Sequence, residues 1–227
     1  MRIIKFFIVL TGLILSLSTY LSTQSRIADT KHNLSISGPG QYRSLDETRI
    51  CFFCHTPHTA YPKQPLWNHA LSSVTHYKTY QSRSFEAAIL GQVPHRIDSA
   101  SRLCLSCHDG TVALSTTVNG DLSVSQTENL GPLPLISSGY IGTDLSGMHP
   151  ISFTVTEHII TMNNTKDSPL APLYTMTNDP EVHLDTNHKM QCTSCHNVHS
   201  DKNFQTSGIH FWAKPTFNEV CQVCHIF

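Results

Sequence analysis

Four copies of Cys-x-x-Cys-His constrain this chain more than any other feature: Cys51-Phe52-Phe53-Cys54-His55, Cys104-Leu105-Ser106-Cys107-His108, Cys192-Thr193-Ser194-Cys195-His196 and Cys221-Gln222-Val223-Cys224-His225. That spacing is the attachment signature of c-type haem. Two thiols three residues apart reach the two vinyl groups of one porphyrin and form thioethers, and the next histidine lies under the iron as an axial ligand. All 8 cysteines fall in these motifs, so none is left for a disulfide or a nucleophile. Zinc can use paired Cys-x-x-Cys, but it has no need of a histidine after every second cysteine. A disulfide inside each motif would close a small, strained ring. The reading is four covalently bound haem c groups, with iron ligands His55, His108, His196 and His225.

A chain built around four porphyrins needs little regular structure, and the sequence offers little. Gly, Pro, Asn and Ser punctuate nearly every segment, as in Ser37-Gly38-Pro39-Gly40 and Gly131-Pro132-Leu133-Pro134. Helical turns are expected at each motif and around Ser84 to Leu90. Alternation predicts a short strand over Ile151 to Ile160, with Ser152, Thr154, Thr156 and His158 on one face. The predicted fold class is therefore a mostly irregular, loop-rich multihaem cytochrome c with short helices and little strand. Each haem is a large apolar plate, and burial at roughly 25 cal/mol per Å² acts on it as on side chains. The expected core is four stacked haems.

The first and third motifs are extended by a second histidine, as His55-Thr56-Pro57-His58 and His196-Asn197-Val198-His199, while the second and fourth are plain. Long-then-plain occurs twice, which reads as a duplication of haem pairs, with units at about 26–110 and 140–227. Asp109 to Gln191 is a long connector expected to wrap the stack.

Eleven of the 15 histidines lie outside the motifs, more than enough to give every iron a second imidazole. His58 and His199 lie three residues beyond a proximal ligand. They cannot reach the opposite face of the same iron but can reach that of an adjacent haem. His149, in Gly147-Met148-His149-Pro150, is followed by a proline that fixes the backbone. His32 precedes the first motif by 19 residues, in a segment read as mobile. These four are the candidate distal ligands, ahead of His69, His76, His95, His158, His183, His188 and His210. Of the latter, His183, His188 and His210 are the reserves flanking the last two motifs. The surplus of histidine argues against Met ligation. Trp67, Tyr77, Tyr80 and Trp212 read as packing residues or donors to propionates rather than electron stepping points.

Residues 1–25 read as a signal peptide. Arg2 and Lys5 form the positive region, Phe6 to Leu17 the apolar run, and Thr23-Gln24-Ser25 a weak cleavage site. An uncleaved anchor is the alternative. No cysteine lies at this junction to carry a lipid. The apolar run is short for a membrane span, and residues 26–227, the tetrahaem domain, contain no second one. Without Arg2 and Lys5, 13 of the 15 basic residues face 16 acidic ones. That balance excludes the basic footprint of nucleic-acid binding. An exported protein, extracellular or at the cell surface, is expected, with the periplasm as the alternative.

Lys31-His32-Asn33-Leu34-Ser35, Cys51-x-x-Cys54-His55-Thr56-Pro57-His58, Pro65-Leu66-Trp67-Asn68 and Cys104-Leu105-Ser106-Cys107-His108-Asp109-Gly110 together resemble secreted multihaem c-type cytochromes with paired motifs. Met148-His149-Pro150 and Cys192-Thr193-Ser194-Cys195-His196-x-x-His199 carry the resemblance into the second half. Within that group the chain is similar to the tetrahaem cytochromes of the OmcE type. The resemblance implies polymerisation into extracellular conductive filaments, or nanowires. It also implies a sixth ligand for one iron from the neighbouring subunit, for which His32 is a candidate. The fourth motif lies two residues from Phe227, which leads us to expect its haem at an edge. The function expected is electron transfer, not enzymatic turnover, with head-to-tail self-association and other redox proteins or an extracellular acceptor as partners. A monomeric periplasmic shuttle is the alternative, and a haem reductase a weaker one, since no motif is altered to leave an iron open.

Overall fold

The computed structural model describes residues 26–56, 66–92, 96–118, 130–165 and 169–227. The signal-peptide reading of 1–25, and the candidates His58 and His95, lie outside the described residues.

Turns and short helices carry the chain, and loops join them. We number the helices α1, Arg83–Ala88; α2, Ser99–His108; α3, Glu157–Asn164; α4, Leu173–Asn178; α5, Phe204–Ser207; and α6, Phe217–Cys221. Single 3-10 turns lie at Ile27–Asp29, Ile50–Phe53 and Cys192–Ser194. Among the described residues, the strands are β1, Lys78–Thr79, and β2, Asp144–Leu145, paired in parallel as one small sheet. The loop-rich character read from the sequence is what the backbone shows. None of the helices is long and apolar enough to cross a membrane among the described residues.

The strand expected over 151–160 is cut short at Thr156, where helix α3 begins. Thr156 is its N-cap, its hydroxyl accepting from the Ile159 amide at 3.3 Å, with Glu157 in the first turn where the helix dipole favours an acid. The alternation thus ends at a helix start. Ile159 and Ile160 fall on the buried face, while residues 152–155 before the cap run antiparallel to 188–190, with Ser152 N to Met190 O, Met190 N to Phe153 O and Val155 N to His188 O around the Thr154–Lys189 bridge.

Among the described residues, side chains form three apolar clusters. The largest gathers Ile159, Ile160, Met176, Val182, Leu184, Val220, Val223 and Trp212 around the third and fourth motifs. A small one holds Phe53, Leu114, Leu130 and Leu133 beside the first motif. Another packs Leu105 of α2 against Tyr77, Ile97 and Leu145.

The two halves named from the sequence are tied together by polar contacts. Ser101 of α2 donates to Gln191 Oε1 at 2.5 Å and accepts from the Cys192 amide at 3.0 Å. Lys189 pairs with Asp98. The second motif therefore abuts the third.

Candidate functional site

The first and third motifs are built on one backbone frame. In each, a 3-10 turn lets the proximal histidine amide reach back to the first cysteine carbonyl, His55 to Cys51 at 2.8 Å and His196 to Cys192 at 3.1 Å. A second segment then lies antiparallel to the motif. Its tryptophan bridges the histidine, Trp67 to His55 and Trp212 to His196. The flanking bonds match: Thr56 N to Leu66 O and Asn68 N to Cys54 O in one, Asn197 N to Phe211 O and Ala213 N to Cys195 O in the other. The residue before each tryptophan has positive φ, 52° at Leu66 and 60° at Phe211. Such a value is uncommon for a bulky residue, so its recurrence marks a repeated device. Each tryptophan meets its histidine edge-on, at 6.2 Å and 5.2 Å between ring centres.

Of the plain motifs, the fourth repeats this frame with leucine in place of tryptophan: Ile226 N bonds to Pro169 O and Ala171 N to Cys224 O around the bridge from His225 to Leu170. It follows α6, and Leu170 comes from an earlier segment. The second is the end of α2. After the second motif, Gly110 has φ +74°, and a Cβ there would strike Tyr140. Asp109 beside it is buried, accepting from Tyr77 Oη at 2.7 Å and from Thr111. Tyr77 thus packs and donates within the protein, and Tyr80 packs on Phe85.

Three motif histidines face a second imidazole. Ring centres are 5.8 Å apart for His32 and His108, 6.1 Å for His55 and His199, and 6.2 Å for His149 and His225. A metal–nitrogen bond of about 2.0 Å on each side, with about 1.1 Å from nitrogen to ring centre, sets two trans imidazoles about 6.2 Å apart. Interplanar angles of 59°, 18° and 75° are all admissible, because each ring turns freely about its metal–nitrogen bond. Among the described residues these are the only ring contacts between a motif histidine and one outside the motifs. The residues fit a bis-histidine iron at three positions.

His32 lies beside His108 of its own chain. It stacks on Phe211 at 4.4 Å, and its segment is closed by bonds such as Ser44 N to Leu34 O at 2.7 Å. This differs from the mobile arm expected to reach another subunit. His196 has Trp212 on one side and borders a hollow of about 420 Å³ shared with His183, Thr193 and Lys202. His183 and His188 border a second hollow of about 430 Å³.

Carbonyls that sequence reasoning missed orient several rings. His108 Nδ1 meets Gly139 O at 2.5 Å, His149 Nδ1 meets Pro150 O at 2.9 Å, and His196 Nδ1 meets His210 O at 3.1 Å. An Nδ1–H held this way leaves Nε2 with its lone pair free for a metal. Backbone oxygens leave no residue-type signal, so no motif could have pointed to them. Burial, then the nearby His108, lowers the His32 pKa to about 4. Burial likewise lowers those of His196 and His225. Neutral imidazole is the ligand form.

Other histidines are spent elsewhere. His69 sits between the Ala70 and Ala113 carbonyls, at 2.9 Å and 3.1 Å. His76 meets the Thr75 hydroxyl. His210 pairs with Asp201 at 2.7 Å and stacks on Phe204. Burial pushes the thiols of Cys54 and Cys224 up to about 11 and that of Cys195 up to about 12. No three His, Cys, Asp or Glu side chains converge on a metal position among the described residues. No protein-family model and no curated protein matches the chain.

Proposed function

We propose that this chain is an exported tetrahaem c-type cytochrome that carries electrons and assembles head-to-tail into an extracellular filament. The observation that carries the reading is the set of three histidine pairs, each joining a Cys-x-x-Cys-His histidine to a residue singled out as a distal ligand. Bound haem would supply one-electron Fe(III)/Fe(II) exchange.

The chain's residues do the rest. Cys51, Cys54, Cys104, Cys107, Cys192, Cys195, Cys221 and Cys224 would tether four porphyrins, and His55, His108, His196 and His225 would hold the irons. His199 belongs to the third motif yet faces His55 of the first, which makes those two sites neighbours and ties their separation to one turn of backbone. His32 serves the second motif and His149 the fourth. His58, in the extension of the first motif, is our ligand for His196 by analogy with His199. With all irons doubly ligated no open position remains for a substrate, so we read a carrier and not an enzyme.

Support for self-association comes from the OmcE-type resemblance and from the surface beside the fourth motif. Phe227 stacks on His225 at 6.1 Å and is 83% exposed, and Ile226 is half exposed beside it. A head-to-tail contact joins two different surfaces and propagates when its rotation does not close.

Haem-loaded protein purified after export should give four haems per chain by pyridine haemochrome assay and an all-low-spin spectrum. His199→Ala should convert one haem to high spin. Absence of covalent haem would overturn the reading, and an unchanged His199→Ala spectrum would remove that ligand. Negative-stain microscopy decides assembly: filaments support it, and monodisperse particles at every concentration leave the monomeric periplasmic shuttle.

A further inference from the structure

The repeated frame exposes one unfilled bond. Trp212 Nε1–H donates to the Thr216 carbonyl at 3.1 Å, where Thr216 is the N-cap of α6. In the third frame the indole N–H thus docks the helix leading into the fourth motif. Trp67 occupies the same place in the first frame, bridged to His55 and edge-on to it at 89°. Its Nε1 is closed to solvent and has no acceptor among the described residues. A buried donor without a partner is costly, and native proteins rarely keep one. Indole offers one donor and no acceptor, so the missing partner must be an oxygen that something else brings.

We infer that Trp67 Nε1–H is the hydrogen-bond donor to a propionate carboxylate of the haem attached at Cys51 and Cys54. This rests on the haem reading above and extends it to one residue. The reasoning is chemical: Trp67 borders the proximal histidine of that site, and the propionates are the only anionic oxygens that covalent attachment there would introduce. A bond to an ionised acceptor is stronger than a neutral one. It offsets part of the carboxylate's charge and so favours the ferrous state of that iron.

Trp67→Phe keeps an aromatic ring and deletes the donor. In the haem-loaded protein, one of four midpoint potentials should fall, by a three- to tenfold change in its reduction equilibrium, up to about 59 mV. Reduced-minus-oxidised infrared spectra with ¹³C-carboxylate haem should show one propionate stretch shifted by the substitution. Should the variant fold poorly, the wild type still answers. It has 2 tryptophans, and the Trp67 indole signal of the ferrous protein should move as haem carrying methyl-esterified propionates replaces haem. An unmoved propionate stretch and unmoved potentials in Trp67→Phe, or an indole signal indifferent to esterification, would overturn the inference and leave a buried water as acceptor. Protein that carries no haem would instead overturn the reading on which it rests.

Discussion

The first and third motifs share a backbone frame but stand on different foundations. Around the third, Trp212 belongs to a large apolar cluster with Met176, Val182, Leu184 and Val220, and its N–H is satisfied by Thr216. Around the first, the small group of Phe53, Leu114, Leu130 and Leu133 does the packing, and Trp67 has a buried N–H without an acceptor. The frame alone therefore does not decide how firmly a site is held. Side-chain packing supports one copy, while the other leaves more of its stability to whatever fills the site.

The largest expected effect follows directly. In protein prepared without haem, amide hydrogen exchange over 26–56 and 66–118 should be roughly 100-fold faster than over 151–165 and 171–225, since local opening is cheapest where few apolar contacts resist it. Equal protection in both regions would break the comparison.

Substitutions test the two foundations in the haem-loaded protein. Met176 is 1% exposed and Leu114 3%. Met176→Ala should cost about 2–5 kcal/mol in urea unfolding, and Leu114→Ala should fall near 2 kcal/mol, because a small cluster collapses more readily into the space left behind. A larger loss at Leu114 would reverse the order of the two regions.

How much of this was legible in the sequence depends on what each feature rests on. The motifs, and His32, His149 and His199 as their partners, are residue types at recognisable places, and the structure brings each of these three next to a motif histidine. The common frame of Trp67 and Trp212 was hidden, since the tryptophans lie 12 and 16 residues after their histidines and no fixed spacing marks the register. Leu66-Trp67 and Phe211-Trp212, each an apolar residue before tryptophan, were the one available hint. The strand expected over 151–160 ends early for a similar reason: alternation counts side chains but does not weigh a cap, and Thr156-Glu157 begins a helix. Pairing of β1 with β2 joins residues 66 apart, as Lys78 and Asp144, beyond any local pattern.

Proton linkage offers a finer probe of the first half. His69 is buried between two carbonyls, and burial lowers its pKa from the ordinary 6.5 despite the opposing pull of those bonds. The unfolded chain therefore binds the proton more readily, so this contribution is whole above pH 6.5 and is lost as pH falls below it. Urea midpoints should drop between pH 7.5 and pH 5, and by less in His69→Gln. An unaltered drop would move the acid sensitivity to His32, His196 and His225, which are also held low.

The smallest effect isolates the device that the first frame lacks. Thr216 closes a capping box, its hydroxyl accepting from the Glu219 amide at 3.3 Å while Glu219 Oε2 accepts from the Thr216 amide at 2.9 Å. Its carbonyl takes the Trp212 N–H. Thr216→Ala keeps that carbonyl and removes only the side-chain cap, which should cost about 1 kcal/mol. The loss should appear as faster exchange over 217–225, with 26–118 unchanged, because α6 connects to the fourth motif and not to the first. Faster exchange at 210–213 as well would mean that the cap, and not the cluster beneath it, holds Trp212 in its frame.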